Sequence, residues 1–192
     1  MSAIEETHEA EPTRRDFIHI LAGATTVVGA AGVVVPLVSQ MNPDASVLAL
    51  STKEVDLSSL EVGQAIKVVW QGKPVFIRHR TEKEIGEAEE TPISALKDPI
   101  ARNDNLPANA DAEDKNRVFK AGYILVVGIC THLGCIPLGT TQGEVRGDYD
   151  GWFCPCHGSH YDVAGRIRKG PAPQNLLVPK YEFLTDTTIR IG

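Results

Sequence analysis

From Phe17 to Val38 the sequence runs FIHILAGATTVVGAAGVVVPLV, without an aspartate, glutamate, lysine or arginine. As an α-helix rising ~1.5 Å per residue, this stretch spans roughly 33 Å, enough to cross a hydrocarbon core of about 30 Å. It is longer than the apolar region of a cleaved secretory signal, usually ~7–15 residues. A buried core helix is the alternative. The unbroken apolar character and the glycine and alanine content suit a membrane span better. The chain is therefore expected to be one anchor followed by a head, with residues 51–192 left to build the head.

The anchor is preceded by TRRDF, with Arg14 and Arg15 paired and Phe17 two residues on. Flanking positive charge holds an N-terminus in the cytoplasm. TRRDFIHILAG also resembles a twin-arginine export signal, a route that carries proteins already folded around a cofactor. The expected layout is a polar, acidic, disordered cytoplasmic tail over 1–13 and a signal and transmembrane anchor over 14–39. A flexible hinge (QMNPDASVLAL) follows over 40–50. Val47-Leu48-Ala49 offers a small-residue cleavage site, but the length of the span and the lack of a second apolar segment favour an uncleaved anchor. That makes a single-pass protein of the bacterial inner membrane, its head in the periplasm. The hinge, fully extended, reaches about 36 Å.

QAIKVVW (64–70) and PVFIRHR (74–80), on either side of a glycine turn, predict a β-hairpin. YILVVGI (123–129) predicts a buried strand leading into Cys130, and KYEFLTDTTIRIG (180–192) a closing hairpin turning at Thr185-Asp186. Residues 82–97 suggest helical pieces interrupted at Pro92, their acidic run a solvated face, and 98–117 reads as a loop excursion. The head is thus expected to be mainly β and antiparallel, with a small inserted subdomain over about 125–175. A net charge of −6 and only 6% aromatic residues give no basic or base-stacking surface for nucleic acid.

All four cysteines lie in two short stretches, CTHLGC from Cys130 and CPCHGSHYD from Cys154. Three chemistries compete. Four cysteines outside the cytoplasm could form two disulfides, in three possible pairings, but such a scaffold has no need of histidine here. A tetrahedral zinc site would use two cysteines and two histidines and leave two cysteines over. A [2Fe–2S] centre of mixed ligation uses thiolates on one iron and imidazoles on the other.

The two-part pattern Cys130-x-His132-x-x-Cys135 and Cys154-x-Cys156-His157 resembles the Rieske iron–sulfur proteins. The resemblance implies one [2Fe–2S] cluster with Cys130 and Cys154 on the inner iron and His132 and His157 on the outer. It further implies a Cys135–Cys156 disulfide joining the loops, with Ser159 and Tyr161 donating hydroxyl hydrogen bonds to a bridging sulfide and to the Cys130 sulfur. The loop Gly170-Pro171-Ala172-Pro173 would be a lid over the cluster, and Leu133 an apolar docking tip.

The extra cysteine pair, both hydroxyls and the anchor are similar to the branch serving quinol–cytochrome c reductases, the cytochrome bc1 complexes. In that branch the implied partners are a cytochrome b subunit, a c-type cytochrome subunit and ubiquinol, in a dimeric complex. His157 and His132 are the implied catalytic residues. Low-potential Rieske ferredoxins and oxygenase components, and arsenite-oxidase-type subunits, are the alternative branches. His160 does not fit the ligand spacing and is expected not to ligate. His8, His19 and His79 are expected to be unrelated to the cluster.

Overall fold

The structure, a computed structural model, describes residues 13–45, 47, 51–118, 120 and 122–192. The tail expected to be disordered lies outside the described residues except for Thr13, as do positions 46 and 48–50 of the hinge and most of the candidate cleavage site. Where it is described, the hinge is not uniformly irregular: Ala45 and Val47 have helical backbone. The chain divides into two compact units, one carrying the N-terminal helix and the other the head.

Helix α1, Arg14–Ser39, is 26 residues long and apolar enough to cross a membrane. It starts at a capping box in which Thr13 and Asp16 satisfy each other's backbone amides, so the two arginines occupy its first turn. Thr25 and Thr26 turn their hydroxyls back onto the carbonyls of Leu21 and Ala22 at 3.0 and 2.8 Å, which keeps those polar groups paired along an apolar surface. Among the described residues, none of the helix is buried.

The head is mainly β; among the described residues its strands pair antiparallel in three three-stranded sheets. Strands β1 (Lys53–Asp56), β9 (Thr188–Ile191) and β8 (Tyr181–Phe183) form one sheet in that order. β2 (Ala65–Trp70), β3 (Lys73–His79) and β4 (Tyr123–Val127) form the second, and β5 (Asp150–Cys154), β6 (Ser159–Asp162) and β7 (Ile167–Lys169) the third. The β2–β3 hairpin pairs Trp70 with Lys73 across Gln71-Gly72, both at positive φ, the turn that matches the strands' twist. β4 ends before Gly128, where a Cβ would stand 2.3 Å from the Phe76 ring. The expected closing hairpin forms as β8–β9, and Thr185 Oγ1 accepts from the amides of Thr187 and Thr188 at its turn.

Helix α2 (Glu82–Glu89) stops before Pro92, and 3₁₀ turns follow at Ile93–Ala95 and Asp114–Asn116. The acidic run is not simply a solvated face. Glu84 is buried and accepts from Arg78 at 2.6 Å and Arg146 at 2.7 Å. The excursion behind it is fastened by buried arginines. Arg80 pairs with Asp114 at 2.7 and 2.9 Å. Arg166 pairs with Asp162 at 2.8 Å and reaches the carbonyls of Ala88 and Ala112. Arg117, fully buried, donates to the carbonyls of Ala101, Ala164, Gly165 and Leu176. Burial pushes its guanidinium down to about 10, which leaves it charged at neutral pH. A buried charge so fully bonded is costly to disturb and fixes the strands and loops around it.

Candidate metal centre

The two cysteine stretches adopt the same local device. In the first, Gly134 sits at φ 80° and its amide returns to the Cys130 carbonyl at 3.0 Å; in the second, Gly158 sits at φ 71° and returns to Cys154 at 3.0 Å. Each loop is thus one turn closed four residues after its first cysteine by a residue in the left-handed region, which glycine adopts without a Cβ clash. The loops are coupled behind the turns by Leu138 and Phe153, which exchange both backbone hydrogen bonds at 2.7 and 2.9 Å.

This geometry brings the predicted side chains together. Cys130 and Cys154 are each only 2% exposed, and their sulfurs are near enough to interact. Burial and the Cys130 partner push the Cys154 thiol up to about 12. The His132 and His157 rings stand edge to face with centroids 4.6 Å apart, His157 exposed and His132 half-buried. Nδ1 of His132 is buried without a hydrogen-bond partner among the described residues, which is the mark of a nitrogen awaiting a ligand. Two inward thiols and an orphaned imidazole nitrogen beside a second imidazole are the donor set of a mixed-ligand [2Fe–2S] centre, and they fit it. The sulfurs of Cys135, Cys156 and Cys154 all lie within 4.8 Å of one another.

The two hydroxyls are oriented by backbone amides. Tyr161, fully buried, accepts from the Thr131 amide at 3.2 Å and stands 3.3 Å from the Cys130 sulfur. With a lone pair so engaged, its proton is free to point at sulfur. Burial, together with the Cys130 contact, pushes the phenol up, so it stays protonated. Ser159 is treated alike: its Oγ accepts from the Ala172 amide at 3.2 Å, leaving its own proton to donate elsewhere. The lid thereby touches a hydroxyl through its buried Ala172, while Pro171 and Pro173 face outward. Gly170, at φ 97°, starts the lid where a Cβ would lie 2.2 Å from the Gly158 carbonyl. Leu133 is 71% exposed at the tip of the first loop.

His160 lies on the other side of β6, accepting from the Asp148 amide at 3.1 Å. His79 stacks on Tyr123 and contacts the Leu60 carbonyl. Neither approaches the cysteines as a ligand. Thr131 was not foreseen: its hydroxyl donates to the Gln174 carbonyl at 2.7 Å and accepts the Gln174 amide at 3.3 Å, tying loop to lid. Its place directly between Cys130 and His132 was the available signal.

Residues 98–182 match the Rieske [2Fe-2S] domain, and residues 4–44 match the ubiquinol–cytochrome c reductase Fe-S subunit TAT signal, so the twin arginines are part of an export signal. The "Ubiquinol-cytochrome c reductase iron-sulfur subunit" of Rhodospirillum rubrum is 53% identical, covering 97% of this chain and 95% of that one. The proteins of that name from Rhodobacter capsulatus (50%; 94% and 95%) and Rickettsia conorii (48%; 100% of both) are similar over comparable lengths. A chain of a solved "Hyperthermophilic respiratory Complex III" is 25% identical over 90% of this chain and 98% of that one, at a TM-score of 0.47, too loose a likeness to carry an assignment. On identity sustained from anchor to closing hairpin, the chain belongs to the ubiquinol–cytochrome c reductase iron–sulfur subunits, the Rieske [2Fe–2S] proteins of the bc1 complex.

Proposed function

We propose that the chain accepts one electron from each ubiquinol in the membrane and passes it to a c-type cytochrome subunit, assembled with a cytochrome b subunit, the acceptor of the second electron, in a dimeric complex that contributes to proton translocation. The head would stand in the periplasm and the N-terminus in the cytoplasm. Cys130 and Cys154 would hold one iron, His132 and His157 the other, with Cys135 and Cys156 closed as a disulfide. When bound, the cluster supplies a one-electron acceptor whose potential lies in the range of roughly −150 to +300 mV, because neutral imidazoles replace anionic thiolates.

The observation carrying this reading over a low-potential ferredoxin or oxygenase partner is the Tyr161 hydroxyl 3.3 Å from the Cys130 sulfur. A hydrogen bond to thiolate disperses its charge and favours the reduced state. With Ser159 oriented the same way, both hydroxyls favour the high end of the range, which oxidation of a high-potential quinol requires. The chain's own work in the reaction is positioning and proton handling. Exposed His157 would accept a hydrogen bond from the quinol hydroxyl at its outward ring nitrogen and take up that proton, with His132 beside it as the more sheltered ring. Leu133 would press an apolar collar into the quinol pocket and exclude water there. The segment 40–50 would tether the head so that it moves between its partners.

Membranes from a strain lacking this chain test the reading. Quinol–cytochrome c reductase activity should return with the intact chain and not with His157→Ala; equal activity in the two, or no activity with either, contradicts it. Shortening segment 40–50 should slow turnover with an unchanged cluster spectrum; unchanged turnover removes the tether from the account.

A further inference from the structure

Asn175 closes the far end of the lid. Although polar, it is 1% exposed, and both polar atoms of its side chain are engaged. Its Oδ1 accepts the Ile167 amide at 2.9 Å, so one side chain bridges the two ends of the 167–175 loop. Its Nδ2 donates to the carbonyls of Asp98 at 3.0 Å and Ile100 at 2.8 Å. Its own amide donates to Asp98 Oδ2 at 3.0 Å. Asp98 is in turn held by Arg102 at 2.9 Å. Next to it, Lys97 Nζ reaches the Gly170 carbonyl at 2.8 Å, at the near end of the lid.

Between these two fastenings lies Ala172, fully buried, whose amide orients the Ser159 hydroxyl. The chain of contacts runs from Asp98 through Asn175 and the lid backbone to Ser159. We propose that Asn175, seated on Asp98, is a positioning residue of the redox centre. It holds the lid at the height at which the Ala172 amide occupies a Ser159 lone pair, and so aims the Ser159 proton at the cluster. This rests on the reading of the site as a [2Fe–2S] centre, and it gives the 98–102 segment a role in tuning as well as in stability. An amide side chain suits the position because one group must both accept from a strand amide and donate to two carbonyls.

The test uses the full chain with its cluster in detergent, as Asn175→Asp and Asn175→Ala, with two readouts: hydrogen exchange at the Ala172 amide, and the midpoint potential from an EPR-monitored titration. Asn175→Asp keeps the acceptor for Ile167 and loses both donated bonds. Asn175→Ala loses all three. Asn105→Ala is the control: it removes contacts of the same excursion to Pro179 and Tyr181 that do not touch the lid. The proposal expects Ala172 exchange to quicken about tenfold or more with a lowered midpoint in both variants, the neutral Ala variant separating loss of the bonds from the carboxylate that Asp adds beside Asp98, and neither change in the control. Unchanged exchange, faster exchange with an unmoved midpoint, or equal changes in the control each overturn it. If Asn175→Ala does not accumulate folded, Asn175→Asp decides alone. A parent chain without a [2Fe–2S] signal would instead sink the functional reading, and the exchange data would still report on the lid.

Discussion

The cysteine loops and the 82–117 segment are opposites. The loops expose a histidine, a leucine and a proline, hold themselves with single glycine-closed turns, and bring the candidate ligands together. The 82–117 segment supplies no ligand, yet it anchors or receives most of the head's buried charge: Arg80 to Asp114, Arg166 to its carbonyls, Arg117 across its base. Reactivity and rigidity are thus divided between neighbours, and an exposed tip with little packing of its own is tolerable because the elements behind it are pinned.

Breaking that division should be most visible in stability. Arg166→Met leaves the buried Asp162 carboxylate without its strongest partner, and about 3–5 kcal/mol should be lost in urea unfolding. A loss below 1 kcal/mol would mean the buried pairs are not what pins the head. Tyr161→Phe should keep the fold and the cluster while lowering the midpoint by an amount on the order of 50 mV, the scale of about 1 kcal/mol in a one-electron couple. An unmoved midpoint would remove the hydroxyl from the tuning.

Acid should act on the pinning side. Burial raises the Glu84 carboxyl, but hydrogen bonds from Arg78, Arg146 and the Thr81 amide, with the Arg78 charge, outweigh it and hold it below the ordinary 4.5. A depressed carboxyl gives stability that is present above its unfolded value and lost as pH falls through the folded one. The head should therefore lose stability as pH drops below about 4.5, and Glu84→Gln should flatten that limb in unfolding followed against pH. Leu133→Ser should have the smallest effect on stability, within about 0.5 kcal/mol, and leave the midpoint in place, while quinol oxidation by the assembled complex slows. A tip change that altered the unfolding midpoint would blur the two regions into one.

The same contrast explains what the sequence made legible. Ligand chemistry dictates residue identity and short spacing, so Cys130, His132, Cys154 and His157 announce themselves, and Ser159 and Tyr161 follow within the same turn and strand. The anchor and hairpins show through period and turn chemistry: an uncharged apolar run, and Gly72 between two β-rich stretches. Residues 82–117 were opaque because their partners are remote. Asn175 meets Asp98, and Arg166 meets Ala88, across 77 and 78 positions, and nothing local in an Asp/Asn/Ala/Pro-rich stretch marks which acid will be buried. Glu84 looked solvated because its helix is acidic; the two arginines that bury it come from β3 and from the loop before β5.

The most direct test of the central claim is an EPR-monitored redox titration of the purified full-length chain, with metal analysis of the same sample. A [2Fe–2S] signal of mixed sulfur and nitrogen ligation, titrating as a single one-electron couple well above 0 mV within the range of roughly −150 to +300 mV, is the predicted result. A couple near about −150 mV would assign the centre to low-potential electron transfer, and zinc without a signal would mean that the two loops hold a structural ion.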